Sequence, residues 1–224
     1  MKICVFISST NDPSNSEVLA SSFIDGMKAN EQVEINKYLL KDIRMEHFSL
    51  DFYDKNTDQG NDLNIIESAI KQSDAFVIAT PVWNFSVPAN LKNLVDRMGS
   101  FALNEKHNKG TLAGKPFYII FTGGAPKEVW EGLIKQTTSS LPKSIEYFGG
   151  SYMGHHFEEK CMLENGEFGL VVDKRPDSLE EVKSKGIEFA DVVKEYVKTG
   201  KAPIKQRAKG GLTRLLGSII KKIT

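Results

Sequence analysis

Short apolar runs alternate with amphipathic stretches along most of the chain. Such runs are typical of strands buried in a parallel sheet, and they predict strands over residues 2–8, 33–40, 75–79, 117–121 and 144–152. Apolar residues at helical spacing predict helices over residues 17–29, 63–72, 90–98, 129–141 and 179–198. Because strands and helices alternate, we expect an α/β domain over residues 1–200, with a parallel sheet and helices on both of its faces.

Two further segments stand outside this alternation. Asn165-Gly166 lies between two short apolar runs, which is the strongest local signal for a β-hairpin, and it predicts a hairpin over residues 160–172. Residues 41–61 have no clear periodicity. A segment of that length is uncommon in a compact domain unless it has a function or is ordered against another part of the protein.

The loop after the first strand, residues 8–16, carries hydroxyl or amide side chains at seven of its nine positions. It leads into the N-terminus of a helix, where backbone N–H groups and the helix dipole favour negative charge, so it could bind an anion. It has neither the lysine of a nucleotide-triphosphatase loop nor the glycines of a dinucleotide-binding fingerprint. In the alternative interpretation, Ser14 or Ser16 only caps the helix and the other side chains are solvated.

The loops after the third and fourth strands differ from this one in character. Residues 80–88 combine polar residues with three large apolar side chains, those of Val82, Trp83 and Phe85. A connecting loop is normally exposed, so this apolar surface needs a partner, either the protein's own core or a flat ligand. Residues 122–126 contain Gly123-Gly124, which either allows close backbone approach to a ligand or serves only the turn.

All three loops are expected at the carboxyl edge of the sheet, because crossover connections between parallel strands are right-handed. Ligands bind to sheets of this kind at that edge, where the strand order reverses. A donor-rich loop, an aromatic loop and a glycine turn together suit a ligand that joins an anionic group to a planar ring. Flavin mononucleotide (FMN) has these parts.

Length and composition limit the class of protein. With 224 residues the chain is long enough for one α/β domain and too short for two. Its apolar content of 40% and charged content of 26% are ordinary, and no apolar run approaches the roughly 20 residues of a membrane span. The N-terminal apolar run is shorter than that of a signal peptide, so we interpret it as the first strand and expect a cytoplasmic protein. The two cysteines, Cys4 and Cys161, are interpreted as structural free thiols.

The net charge of zero hides an uneven distribution. Residues 198–224 carry eight basic residues and no acid, whereas residues 1–197 carry 21 basic and 29 acidic residues. The tail, residues 201–224, has apolar residues at helical spacing, namely Leu212, Leu215, Leu216, Ile219, Ile220 and Ile223. This pattern predicts an amphipathic helix that could hold residues 205–224 on an anionic membrane, or pack on a partner subunit or on the acidic body. Without aromatic residues for stacking, nucleic-acid binding is not expected.

Three motifs carry a resemblance to a known family. They are Ser9 with Ser14-Asn15-Ser16; the run from Thr80 to Pro88, followed by Leu91-Lys92 and Val95-Asp96-Arg97; and Thr122-Gly123-Gly124. These motifs resemble those of the NAD(P)H-dependent FMN reductase, quinone reductase and azoreductase family of the flavodoxin-like superfamily, and the resemblance covers about residues 1–155.

The resemblance implies a doubly wound sheet of five parallel strands in the order 2-1-3-4-5, with FMN as cofactor and NADPH or NADH as electron donor. It implies that the FMN phosphate is bound by Ser9, Asn11, Ser14, Asn15 and Ser16. It also implies that the ring lies against Pro81, Val82, Trp83, Asn84 and Phe85, and that the polar edge of the ring meets Thr122, Gly123 and Gly124. The sequence departs from the family at Asn11, where relatives often carry arginine.

The implied reaction passes hydride from a nicotinamide to flavin and on to a quinone, an azo or nitro compound, or free flavin. No covalent nucleophile is needed. His155 and His156, predicted just after the fifth strand, are candidates for protonating a reduced quinone because of their position and intrinsic pKa, and are otherwise surface or hinge residues.

A homodimer or homotetramer is implied by the family, because partner loops often complete the pocket. Two other functions stay open on the sequence. One is a flavodoxin-type electron-transfer protein without a nicotinamide site. The other is a flavin-free binding module, which is favoured only if Asn11 marks a lost phosphate site.

Overall fold

A five-stranded parallel sheet forms the centre of the structure, a computed structural model that describes residues 1–54 and 56–203, with the backbone alone at residue 61. The strands are β1 (Lys2–Ile7), β2 (Glu34–Leu39), β3 (Ala75–Pro81), β4 (Pro116–Thr122) and β5 (Ser151–Glu158). Their order across the sheet is β2-β1-β3-β4-β5, and every pairing is parallel. The predicted flavodoxin-like topology is therefore confirmed.

Helices cover both faces of the sheet. They are α1 (Asn15–Ala29), α2 (Asn61–Gln72), α3 (Ala89–Met98), α4 (Lys127–Val129), α5 (Lys135–Thr138), α6 (Ser140–Tyr147) and α7 (Pro176–Thr199). Alternate residues of β3 enter opposite layers: Val77 packs with α1 and α7, whereas Phe76 and Ile78 pack with α2, α3 and α6. Because strand side chains point to the two faces in turn, one apolar strand contributes to both cores.

Helices α1 and α7 cross at two glycines. A Cβ atom added to Gly26 would lie 1.9 Å from the carbonyl oxygen of Lys183, and one added to Gly186 would lie 2.1 Å from the carbonyl oxygen of Phe23. These distances are far shorter than any real contact of a Cβ atom. The two helix backbones therefore pack directly against each other, and the crossing requires glycine at both positions.

Parts of the aperiodic segment, residues 41–61, are held against α3 by one fully buried arginine. The guanidinium of Arg97 donates hydrogen bonds of 2.9 Å to the carbonyl oxygens of Glu46 and Gln59. It also lies 3.4 Å from the ring centroid of Phe52. The predicted alternative that this segment is ordered against another part of the protein is thus confirmed.

The predicted strand over residues 144–152 is wrong. Leu141 and Ile145 are buried and four residues apart, so they form one face of helix α6, and β5 begins only at Ser151. The predicted helix over 129–141 is also interrupted, because a π-helical turn, Trp130–Ile134, separates α4 from α5.

The predicted hairpin over residues 160–172 is likewise not formed. Its turn exists, with a 2.9 Å hydrogen bond from the N–H of Gly166 to the carbonyl oxygen of Leu163, but no strands flank it among the described residues. The backbone around Gly169 is bonded instead to the side chain of Asn15. We call residues 159–175, which connect β5 to α7, the strap.

Helix α7 runs from the carboxyl edge of the sheet back to its amino edge. Near its start, Ser178 donates to the carboxylate of Glu158 at the end of β5. Near its end, the Tyr196 hydroxyl donates to the carbonyl oxygen of Ala113, which precedes β4. The described chain ends at Pro203, at the amino edge, so the predicted helix over 205–224 lies outside the described residues. No described helix has the length and apolar character needed to cross a membrane.

Candidate functional site

Hydrogen bonds join the carboxyl ends of β1, β3 and β4, and the start of α1, at the bases of the three loops. The Ser8 hydroxyl donates to the hydroxyl of Thr80 at 2.7 Å, and the hydroxyls of Ser16 and Thr122 lie 2.9 Å apart. The N–H of Val82 donates to the carbonyl oxygen of Thr122 at 2.7 Å. All four hydroxyl residues are buried. The three loops singled out by their composition therefore form one continuous surface.

The loop after β1 uses most of its polar side chains within the protein. Ser14 caps α1 by accepting from a first-turn N–H at 3.4 Å, and Ser9 accepts from the N–H of Asn11 at 3.2 Å. Ser16 is buried in its hydroxyl pair, and the amide of Asn15 is bonded to the backbone of the strap. Asn11 itself is exposed. The anion-binding feature that remains is the N-terminus of α1, whose first-turn N–H groups and dipole face this loop.

The loop after β3 forms a tight turn in a strained conformation. Trp83 and Ser86 exchange two backbone hydrogen bonds of 2.9 Å around Asn84 and Phe85, whose φ angles are 49° and 64°. Positive φ at both central residues defines a type I′ turn, which asparagine tolerates and a bulky aromatic residue does not. The Phe85 ring is nevertheless 57% exposed, while Val82 and Trp83 are half-buried. Strain of this kind at a loop tip is a mark of functional sites.

Substitution of Phe85 by asparagine is expected to stabilise the fold. Asparagine adopts the left-handed conformation at lower cost, so we expect a gain of about 1 kcal/mol, or a rise in melting temperature of roughly 2–4 °C. Thermal unfolding followed by circular dichroism measures this change. The matched variant Asn84→Ala places an ill-suited residue in the same turn and should lower the melting temperature. Equal changes in melting temperature for the two variants would contradict the inference that Phe85 is strained in this turn.

The glycines of the loop after β4 are closely packed by side chains of the protein itself. A Cβ atom on Gly123 would lie 2.9 Å from the ring of Phe157, and one on Gly124 would lie 2.5 Å from the sulfur of Met162. The N–H of Gly123 also donates to the carbonyl oxygen of Glu158 at 3.0 Å. The groups that approach these glycines closely are Phe157 of β5 and Met162 of the strap, and close approach to a ligand stays a prediction.

His155 and His156 lie inside β5, not after it, because the strand begins later than predicted. They pair in register with Ile119 and Ile120 of β4, so neither belongs to the three loops. The Nδ1 atom of His155 shares a short hydrogen bond with the Tyr152 hydroxyl. His156 is buried, and its ring nitrogens lie 3.2 Å and 3.6 Å from the carboxylates of Glu158 and Glu181.

Glu158, at the end of β5, is a buried carboxylate with three hydrogen-bonding partners. It is 6% exposed and accepts from Arg175 at 2.8 Å and from Ser178 at 3.0 Å, and it lies 3.2 Å from His156. Burial alone would raise the pKa of Glu158, but the hydrogen bonds from His156, Arg175 and Ser178 outweigh it and hold that pKa below its usual value. The carboxylate stays ionised at neutral pH and fixes the end of the strap to β5.

Three contributors to the site were missed by sequence reasoning. Ser8 and Thr80 hold the first two loops together, and the only signal for them is a hydroxyl residue at the end of an apolar strand. Lys41, which follows β2, reaches the loop after β1 and pairs with Asp12 at 3.1 Å. That hydrogen bond raises the pKa of Lys41, so a cation pairs with Asp12, the residue after Asn11.

Residues 1–135 match the family model for NADPH-dependent FMN reductases. The chain belongs to this family. The match includes β1 to β4 and the three loops, and it ends before β5 and the strap. Membership confirms the predicted family, and with it an FMN-dependent oxidoreductase that uses a nicotinamide donor.

Individual relatives are quinone reductases by name. The chain is 25% identical over 146 residues to an FMN-dependent NADH:quinone oxidoreductase from Pseudoalteromonas atlantica, in an alignment that covers 58% of this chain and 71% of the relative. It is 42% identical over 64 residues to a protein of the same name from Shewanella sp., covering 26% of this chain and 32% of the relative. The second alignment thus spans about a third of that relative's length.

Solved structures share the fold at low sequence identity. An NAD(P)H:quinone oxidoreductase from Methanothermobacter marburgensis superposes with a TM-score of 0.67 at 16% identity, covering 84% of this chain and 96% of that chain. An FMN-dependent NADH-azoreductase from Bacillus anthracis, solved in complex with FMN, superposes with a TM-score of 0.60 at 16% identity, covering 85% and 100%. At this identity the similarity confirms the fold.

Proposed function

We propose that this protein takes a hydride from NADH or NADPH and passes it, through FMN bound at the carboxyl edge of the sheet, to a quinone, an azo or nitro compound, or free flavin. The observation that carries the proposal is the junction of the loops after β1, β3 and β4 through the Ser8–Thr80 and Ser16–Thr122 hydroxyl pairs. The junction places a helix N-terminus, an aromatic turn and a glycine turn on one surface. The names of the quinone and azo reductases described above support the choice of acceptors.

The residues present fit the two ends of FMN. The phosphate would lie at the N-terminus of α1, beside the backbone of Ser9, Asn11, Ser14, Asn15 and Ser16, with the Lys41 cation paired to Asp12 of the same loop. The planar ring would lie against Pro81, Val82, Trp83, Asn84 and Phe85. Its polar edge would meet Thr122, Gly123 and Gly124.

FMN supplies the hydride-accepting ring when it is bound. The half-buried side chains of Val82 and Trp83 exclude water from one side of the site and orient a planar group. The buried hydroxyl pairs fix the three loops relative to one another, so that the site is preorganised before a ligand enters. No side chain is required as a covalent nucleophile.

A homodimer or homotetramer is part of this proposal. Exposed apolar side chains lie close to the aromatic turn: Val129 and Leu133 are four residues apart, and Thr137, four residues further, donates to the carbonyl oxygen of Phe85. Exposed large apolar side chains next to a proposed ligand site are candidates for contact with a partner subunit. Sedimentation of the purified protein as a 25.0 kDa species would contradict this part of the proposal.

Two spectroscopic measurements test the proposed reaction. The purified protein, or the protein after addition of FMN, should show bound flavin absorbance, and its absence in both samples would refute any flavin-dependent function. Anaerobic mixing with NADH and with NADPH should bleach the flavin with at least one donor. If the flavin stays oxidised with both, the protein is an electron carrier without a nicotinamide site and the proposed reductase is wrong.

A further inference from the structure

We propose that Asn15 is a positioning residue that docks the strap, and that the docked strap forms a side wall of the FMN cleft. The proposal rests on the proposed function, because it assigns an element to the same cofactor site. Sequence reasoning assigned the Asn15 side chain to the phosphate. The structure shows that side chain turned to the strap.

The Asn15 amide makes three hydrogen bonds to the strap backbone. Its Nδ2 donates to the carbonyl oxygen of Gly169 at 2.8 Å, and its Oδ1 accepts from the N–H groups of Val171 and Val172 at 2.9 and 3.2 Å. One side chain thereby satisfies three backbone groups of a segment without strands. Because Asn15 is the first residue of α1, it fixes the strap at the phosphate end of the cofactor site.

The strap is fixed at the ring end of the site by independent contacts. The N–H of Cys161 donates to the carbonyl oxygen of Gly123 at 2.9 Å, and the Met162 side chain lies directly against Gly124. Behind these residues, Arg175 bonds the carboxylate of Glu158 at 2.8 Å. The strap therefore extends from the glycine turn to the N-terminus of α1, that is, from the proposed ring end to the proposed phosphate end.

The strap lies outside the segment that matches the family, since that match ends at residue 135. Between its two fixed ends, the Phe168 side chain is 71% exposed, and Leu163 packs so closely on Gly169 that a Cβ atom there would lie 2.7 Å from it. Because the strap is packed against itself, we expect release of one end to displace the wall. Asn15 is the side chain that controls this end.

The first test is amide exchange in the flavin-free protein. In Asn15→Ala, the amides of Val171 and Val172 should exchange about tenfold faster or more, because they lose their acceptor. Asn15→Asp retains an acceptor oxygen and should retain their protection. Ser22→Ala is the matched control, since Ser22 also ties α1 to the later chain, at Leu179, but does not touch the strap. Unchanged exchange in Asn15→Ala would overturn the docking role.

The second test compares FMN with riboflavin, which lacks the phosphate. If Asn15 acts through the strap, Asn15→Ala should weaken both flavins by a similar factor of about ten, as for the loss of roughly one hydrogen bond. Arg175→Ala releases the other end of the strap with Asn15 intact, and it should also weaken both. Circular dichroism verifies that each variant is folded, and Ser22→Ala should bind both flavins normally.

Two results would contradict the proposal that the strap forms a side wall of the FMN cleft. Loss of FMN affinity alone, with riboflavin unaffected, would show that Asn15 contacts the phosphate directly. Faster exchange of Val171 and Val172 without any change in affinity for either flavin would show that the strap does not border the cofactor. If the unmodified protein binds neither flavin, the proposed function is wrong, and so is the proposal that the strap borders a cofactor. The amide-exchange result then still decides whether Asn15 docks the strap.

Discussion

Gly186→Ala is expected to destabilise the protein by about 3 kcal/mol, although alanine is the better helix former by about 1 kcal/mol. The added methyl group would lie 2.1 Å from the carbonyl oxygen of Phe23, so α1 and α7 would have to separate. The obstacle is backbone and not a flexible side chain. Separation also loosens the core shared by Phe189 and Val193. Urea or thermal unfolding followed by circular dichroism measures the loss.

Gly132→Ala is the matched control for this prediction. Gly132 lies in the π-helical turn, and a Cβ atom added there meets nothing within 4 Å. Its replacement by alanine should therefore show only the higher helix propensity of alanine, which increases stability by up to about 1 kcal/mol. We expect Gly186→Ala to lower the free energy of unfolding and Gly132→Ala to raise it. A loss of stability in both variants, or in neither, would contradict the close crossing of α1 and α7.

Arg97→Met is expected to cost about 3 kcal/mol of stability and to release residues 41–60 from α3. Methionine fills part of the space, but the carbonyl oxygens of Glu46 and Gln59 lose their donor, and the Phe52 ring loses the cation above it. Burial lowers the pKa of Arg97 because it penalises the charged guanidinium. The hydrogen bonds to the two backbone carbonyl oxygens offset this penalty. The expected phenotype is a lower unfolding midpoint with new proteolytic cleavage within residues 41–60.

Lys92→Met is the control for the arginine. Lys92 is on the same helix, is exposed, and pairs with Asp96 at 2.6 Å in an i, i+4 ion pair. Exposed pairs of this kind contribute less than about 1 kcal/mol, so this variant should keep both its stability and its resistance to protease. Equal proteolysis of the two variants would show that Arg97 does not hold the segment.

The sheet could be predicted from the sequence because the pattern that specifies each strand lies within the strand itself. The runs that form β1, β3 and β4 are nearly continuous in apolar residues, and strands buried on both faces require that pattern. The three loops were likewise identified by composition alone, since parallel strands bring their carboxyl ends to one edge. These inferences need no knowledge of which distant residues touch.

The errors lie where long-range contacts decide the structure. Residues 144–152 contain residues compatible with either a strand or a helix, and the burial of Ile145 with Leu141 against the core selects the helix. The hairpin at Asn165-Gly166 satisfied the local turn rule, but Asn15, about 150 residues earlier, takes the backbone groups that strands would have paired. Neither contact has a signature in its own stretch of sequence.

The return of α7 to the amino edge separates the end of the described chain from the proposed ligand loops. The described chain ends at Pro203 on the side of the sheet opposite to the aromatic and glycine turns, and a strand of seven residues separates those sides by roughly 23 Å. Residue 203, from which the carboxyl-terminal extension continues, therefore lies on the side of the sheet remote from the proposed ligand loops.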